Sequence, residues 1–292
     1  MASLATRGSD MAVRAHPFRA FVTKFGRHRG GMVGALLLIG MVLIAFFAPY
    51  IAPIDPLQVE RTKLLQPPSY EHPFGTDRVG RDQLSRVIYG ARATLLLGVV
   101  ATTIAFTLGV PLGLVAGYRG GRLDNVIMRG IDVLLAFPSL LLAIIFVFAL
   151  GPNLLNAMIA VGIARIPHHA RVTRGAVLSA REHAYVEAAR SLGGSEFTVV
   201  FRHIFPNVVA PNIVIATVGM AAAILTGTTL SFLGVGAQPP TPEWGLMLSM
   251  GRNFLGAAPW LTLFPGLAIM VTVLAINLLG DALRDVLDPK AR

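Results

Sequence analysis

HIFPNVVAPNIVIATVGMAAAILTGTTLSFLGVGAQPPTP, residues 203–242, runs for 40 positions without one Asp, Glu, Lys or Arg. About 20 apolar residues suffice to cross a bilayer as a helix, so this run holds a span, read as 206–235, with a turn-rich exit at Gln238–Pro242. Working outward, charge-free runs recur at 30–54, 93–118, 133–164 and 253–280. The 292-residue chain is 54% hydrophobic and only 14% charged, against about 25% charged in a typical soluble domain. Its mean hydropathy is +0.66. These numbers exclude a water-soluble globule and point to an all-α polytopic membrane protein.

Six spans are expected: 31–52, 93–117, 125–150, one from Leu154 past Arg165, 206–235 and 259–279. Gly151-Pro152-Asn153 divides the third run by turn chemistry. The first run, 25 residues long after a 29-residue tail, exceeds a signal peptide's apolar core and reads as an uncleaved anchor. Placing both termini inside leaves 18 Lys and Arg on the cytoplasmic side and 7 outside, as the positive-inside rule demands. The outer segment 55–92 balances six basic residues against five acids, which suits a soluble docking partner. The net charge of +10 is thereby topogenic and no sign of nucleic-acid binding.

Two amphipathic stretches flank the spans. Phe18, Phe21, Val22 and Phe25 oppose Arg19, Lys24 and Arg27 after Pro17, as in a helix lying on the inner membrane surface. Leu84, Val87, Ile88 and Ala91 repeat the spacing outside. Both equally fit packing against neighbouring helices.

Catalytic chemistry is missing. Cys is absent, so there is no disulfide, thiolate metal site or cysteine nucleophile. No phosphate-binding G-x-x-x-x-G-K-[ST], no H-E-x-x-H and no G-x-S-x-G occurs. His168 and His169 are adjacent and point to different helix faces. No internal repeat is evident. Acids at mid-membrane, expected of a proton-coupled carrier, are missing; only Asp132 and Arg165 come near. An energy source therefore belongs to a partner. Asn212, Thr217 and Thr226 lie on the fifth span, where packing or pathway lining both suit them. Gly109, Gly113 and Gly117 form a small-residue ridge for a neighbouring helix, and Pro111 and Pro167 are expected to kink theirs.

The informative loop is Glu182–Pro206. Glu182–Leu192 reads as a helix stopped by Gly193-Gly194, and Ser195 as the N-cap of a second short helix, 196–204, before Pro206. Glu187 and Arg190 offer charge-assisted contacts, while Ala188 and Ala189 permit close approach. An ordinary amphipathic linker has the same pattern.

Glu187-Ala188-Ala189, Gly193 four residues on and Pro206 resemble the EAA loop of ABC-importer permeases. His203 and Phe205 stand where that pattern has Ile and Leu. His72-Pro73-Phe74-Gly75-Thr76-Asp77 through Asp82, Ser231–Gly245 and Asn277–Asp285 through Asp288-Pro289 are similar to the dipeptide/oligopeptide/nickel class of permeases, C-type subunits. The resemblance spans the chain from the first span onward.

It implies a type I importer permease fold in the bacterial inner membrane, with four parts. These are a cytoplasmic tail, 1–30; a first span with outer segment, 31–92; a core, 93–285, carrying the coupling loop 182–206; and a tail, 286–292. It also implies a homologous second permease, two cytoplasmic ATPases that bind ATP and Mg, and an extracytoplasmic substrate-binding protein. This chain would hold no cofactor and do no catalysis. Glu187, Ala188, Ala189, Arg190, Gly193, Phe205 and Pro206 would couple it to the ATPases, and Asn212, Thr217 and Thr226 would line the pathway. Di- or oligopeptides are the expected cargo, with glutathione or nickel as alternatives. A secondary carrier or channel, or more distantly an intramembrane enzyme, leaves the loop unexplained.

Overall fold

Asp82 starts the longest helix. Its carboxylate accepts from the Ser85 N–H at 2.8 Å, an N-cap, and the helix then runs 37 residues, α4, Gln83–Arg119. The computed structural model describes residues 17–287. Before α4 come α1 (Pro17–Arg27), α2 (Arg29–Phe46) and the single turn α3 (Ala48–Ile51). After it follow α5 (Gly121–Leu135), α6 (Ser139–Leu150), α7 (Leu154–Ala180), α8 (Ala184–Ser191) and α9 (Glu196–Thr198). A π-helical segment, Val199–Ile204, leads into α10 (Phe205–Phe232), then α11 (Trp244–Gly251) and α12 (Trp260–Leu287). Among the described residues the sole β feature is an isolated bridge between Thr76 and Asp82.

Four helical stretches are long and apolar enough to span: α2, α4, the continuous run Glu196–Phe232, and α12. The pair α5–α6 passes together but bends by 94°. The single straight span expected over 125–150 is thus corrected. Phe137 precedes Pro138, and the residue before proline is pushed out of the α region, so the chain turns there and Pro138 opens α6. α7 carries Arg165, Arg171 and Arg174 and falls outside the apolar criterion.

Two further expectations are corrected. The helix of the second span, expected from Ala93, starts at Gln83 and takes in the amphipathic stretch Leu84–Ala91 as its first turns. The second loop helix, expected to end at Ile204, continues into α10 through the π segment, where the Phe205 N–H reaches back five residues to the Val200 carbonyl. Pro206 follows directly on the π segment, so the backbone bond its missing N–H forgoes falls where the helical ladder is already offset. Pro111 and Pro167 both lie inside unbroken helices.

The core is the α4–α7 pair. A Cβ at Gly113 would lie 2.3 Å from the Ala170 carbonyl oxygen, and one at Gly109 would lie 2.6 Å from His169 Cβ. The expected glycine ridge is therefore what lets the two backbones touch. On the far side, α10 packs on α12, α4 and α7, and α2 packs on α12. Bidentate Arg174 to Asp124, both bonds 2.6 Å, and Arg171 to Asp132, 2.6 Å, tie α5 to α7.

α1 forms where its spacing indicates; the side chains of Phe18, Arg19 and Phe21 lie outside those described. Most of the 1–30 tail and Asp288-Pro289 are likewise outside the described residues, and α12 runs through the first two positions of the expected tail 286–292.

Candidate functional site

Two places have the build of functional sites: the loop after α7 and a cleft beside it. The loop is stopped by a glycine turn. Gly193 has φ +80°, its N–H donates to the Arg190 carbonyl at 2.9 Å, and the Gly194 N–H donates to the Ala189 carbonyl at 3.0 Å. These two bonds make a Schellman motif, which needs a left-handed residue that glycine supplies without steric cost. A Cβ on Gly193 would meet nothing within 4 Å, so the constraint is conformational, not one of space. Gly194 is different: its Cβ would lie 2.7 Å from the Ala189 carbonyl oxygen. Ser195 then accepts from the Thr198 N–H at 3.2 Å, the expected N-cap.

Only Val186 of α8 is buried, against Val177, Val199 and Val200. That one anchor turns Glu187, Ala188 and Arg190 outward; Ala189 is half-buried. Arg190 stacks 5.5 Å over the Tyr118 ring, and Arg119 pairs with Glu196 at 3.5 Å. Phe205 is half-buried and Pro206 exposed. The structure thus gathers all the expected coupling residues at one end of the helix assembly, Glu187 to Gly193 on an open surface.

Sequence reasoning missed the apolar part of that surface. Leu192 is 88% exposed and Phe197 71% exposed. Phe197 and Phe201 lie ring to ring at 4.4 Å, with Phe205 next at 5.9 Å. These side chains form an exposed apolar cluster beside the glycine turn. The signal was available: Phe197, Phe201 and Phe205 recur every four residues, on one helix face.

The cleft lies between α7, α10 and α12 and has a volume of about 810 Å3, within the ~300–1,000 Å3 typical of ligand pockets. Arg165 and His168 line it from α7, Val214 and Gly219 from α10, Asp281 and Arg284 from α12. None of Asn212, Thr217 and Thr226, expected to line a pathway, is on its wall. Asn212 is fully buried against α7, accepting from Thr173 Oγ1 at 3.0 Å and lying 3.3 Å from His169 Nδ1. Thr217 and Thr226 donate their hydroxyls to carbonyls of their own helix, Ile213 and Ala222. His168 faces the cleft and His169 the core, the split their adjacency requires. Among the described residues no group of three His, Asp or Glu side chains has a metal-binding arrangement.

The opposite end is built differently. Segment 53–82 folds over the start of α4 with Asp77, Arg81 and Asp82 inside. Arg81 donates to Asp77 at 2.7 Å, His72 Nδ1 lies 2.9 Å from Asp82 Oδ1, and Arg86 donates to the Pro56 carbonyl at 3.1 Å. Asp77, Arg81, Asp82 and Arg86 are all buried. Much of the charge balance read as a docking signal is thus consumed within the segment itself. Lys63 bridges Glu60 and Glu71 on its surface, holding the Glu71 carboxyl below the usual carboxylate range. Beside it, Glu243 caps α11 from a buried position, accepting from Gly245 and Leu246 N–H at 2.9 and 2.8 Å. Burial pushes its carboxyl above the ordinary range, and those two backbone donors oppose the shift.

Comparison with known proteins agrees with this architecture. Residues 109–292 match the family described as "Binding-protein-dependent transport system inner membrane component". Residues 16–68 match the "N-terminal TM domain of oligopeptide transport permease C". The chain is 45% identical over 283 residues to the dipeptide transport system permease protein of Alkalihalophilus pseudofirmus, covering 97% of this chain and 93% of that one. It is 48% identical over 282 residues to the protein of the same name in Escherichia coli, covering 94% of each. It is also 43% identical to the glutathione transport system permease protein of Pectobacterium atrosepticum, over 97% of this chain and 94% of that one. A permease chain in an inward-facing structure of the MetNI methionine ABC transporter shares the fold, with TM-score 0.58 at 19% identity over 70% of this chain and 97% of that chain. The glycine-turned loop, the helical spans and both matches agree, and the chain belongs to the family of binding-protein-dependent transport system inner membrane components.

Proposed function

We propose that this chain is one permease half of an ATP-driven importer of dipeptides in the bacterial inner membrane, and that its 182–206 loop transmits ATPase closure to the pathway. The observation that carries the coupling role is the loop itself, anchored by buried Val186, Val199, Val200 and Ile204 and by a Schellman turn, with Leu192, Phe197 and Phe201 exposed. The peptide cargo is supported by similarity along nearly the whole chain to proteins named as dipeptide permeases. Two cytoplasmic ATPases supply ATP and Mg binding, since this chain has no phosphate loop. A homologous permease completes the pathway, and an extracytoplasmic binding protein delivers substrate.

The proposed topology has six crossings: α2, α4, the bent α5–α6 pair, α7, α10 and α12. Both termini are then cytoplasmic, and the segments 1–30, 31–92, 93–285 and 286–292 keep the roles assigned from sequence. Glu187 and Arg190 make charged contacts with the ATPase, Ala188 and Ala189 seat in its groove, and Gly193 sets the turn. Phe205 and Pro206 join the loop to α10.

The deciding experiment is ATP-dependent uptake of a labelled dipeptide by proteoliposomes holding the full complex. Competition by unlabelled dipeptides is the expected result. Competition by glutathione or nickel ion alone would replace the peptide reading, and uptake without ATPase subunits would replace the importer reading.

A further inference from the structure

Arg165 is a cation at the wrong depth for a topogenic charge. It projects from α7 to the midpoint of the 28-residue α10, where a Cβ on Gly219 would lie 2.9 Å from its Nη2. Gly219 is therefore the gap into which the guanidinium fits. Among the described residues Arg165 has no ion-pair or hydrogen-bond partner, whereas Arg171 and Arg174 on the same helix are paired with Asp132 and Asp124. An unpaired charge at membrane depth is costly and marks function by default. It faces the 810 Å3 cleft, which His168 and a second guanidinium, Arg284 near the end of α12, also line. Asp281 is the one acid on the cleft wall among the described residues, and it lies in the last two turns of α12.

We infer that Arg165 is the pathway's anion-recognition residue, receiving the C-terminal carboxylate of a small peptide through its planar guanidinium. A guanidinium offers two parallel donors to a carboxylate, a geometry that an ammonium lacks. The cleft supplies room for the remainder of a short peptide, and the apolar Val214, Ile215 and Val218 on α10 offer contact to its side chains. This assignment rests on the transport reading and deepens it: the free acid, not the peptide bond, is what the permease itself selects.

The test compares alanyl-alanine with its C-terminal amide, using the permease pair with its ATPases in nanodiscs and without the binding protein. Equilibrium dialysis of the labelled ligands reads the cleft directly. The wild type is expected to prefer the free acid at least ten-fold. Arg165→Gln should lower acid affinity to that of the amide and leave the amide unchanged, and Arg165→Lys should restore part of the preference. Gly219→Ala, which keeps the charge but fills the gap beside it, should reduce acid binding with the permease pair intact. Equal wild-type binding of acid and amide, an equal loss of both in Arg165→Gln, or failure of Arg165→Gln to hold its partner permease would each overturn the assignment. Wild-type proteoliposomes that import no dipeptide would overturn the transport reading and this inference together. Normal uptake with equal binding of acid and amide would overturn the inference alone.

Discussion

The outer segment 53–82 and the inner loop 182–206 are both polar excursions between helices, yet they treat their side chains in opposite ways. The outer one buries charge: His72, Asp77, Arg81, Asp82 and Arg86 face one another beneath the surface. The inner one exposes apolar area, with Leu192, Phe197 and Phe201 in the open and a single valine buried in α8. Burying a charge is tolerable only when it is paired and hydrogen-bonded, and Asp77 with Arg81 and Asp82 with His72 supply such pairs inside the outer segment, although His72 Nε2 and Arg86 Nη2 are left without a hydrogen bond. Exposed leucine and phenylalanine gain by being covered, which is what the proposed ATPase contact would do for the inner loop. One end of the molecule is a finished cap and the other an unfinished joint.

That contrast breaks first at Asp82. Asp82→Ala removes an N-cap, the acceptor for Ser85 Oγ and the partner of buried His72 in one step. Loss of a buried, paired charge costs about 3–5 kcal/mol, and thermal unfolding of the purified permease pair should fall accordingly. A loss under about 1 kcal/mol, the scale of a single ordinary hydrogen bond, would mean that the outer segment is not self-contained.

The second largest effect belongs to Gly193→Val. A β-branched residue in the left-handed region costs roughly 1–2 kcal/mol, here in a loop outside the spans. Expression and pairing with the partner permease should stay near normal, while substrate-stimulated ATP hydrolysis and uptake drop together. Normal transport, or loss explained by absent protein, sinks the idea. Gly194 has to be glycine where it stands, since a Cβ there would lie 2.7 Å from the Ala189 carbonyl oxygen.

Leu192→Ser and Phe197→Ser sharpen the comparison further. Exposed substitutions of this kind usually change stability by less than about 0.5 kcal/mol. Co-purification of the ATPase should nevertheless weaken several-fold. An unchanged ATPase yield would return these side chains to ordinary surface.

The smallest effect is expected at Glu71, exposed on the surface of the outer segment. Its carboxyl is held low chiefly by the hydrogen bond from Lys63. A depressed carboxyl contributes stability above its unfolded pKa and loses it as pH falls through the folded value. Because the pair is exposed and screened, Glu71→Gln should leave the pH dependence of unfolding unchanged within error. The same position tests sidedness. A cysteine there, in a chain with none of its own, should react with impermeant reagents added from outside, and labelling only from the cytoplasm would invert the topology.

Legibility in the sequence followed the reach of each signal. Charge-free runs and proline-glycine punctuation are local, so α2, α10, α12 and the Gly193 turn were plain. The small-residue ridge was legible as a contact face because i, i+4 spacing is a geometric statement, and α7 proved to be its partner. The break at Pro138 was equally local and was overlooked inside a run that looked uniformly apolar. What the sequence hid was pairing across distance. Nothing adjacent to Asp124 or Asp132 announces Arg174 or Arg171, some 40–50 positions on, and nothing adjacent to Asn212 announces Thr173. Arg165 stood out in the sequence as a charge near a span, but that it lacks an acid partner showed only once Arg171 and Arg174 had found theirs.

The π segment Val199–Ile204 has a consequence for tolerance to length change. A regular helix advances about 100° per residue, so deleting one residue within α10 would swing Gly219 away from Arg165 and break the contact with α7. A π turn holds one residue more than the α turn it replaces. Deleting a residue inside 199–204 would tighten that turn and leave both flanks in phase. The joint between loop and span therefore carries the only slack in a 37-residue rod, and an indel that is ruinous a few turns further along would be absorbed there.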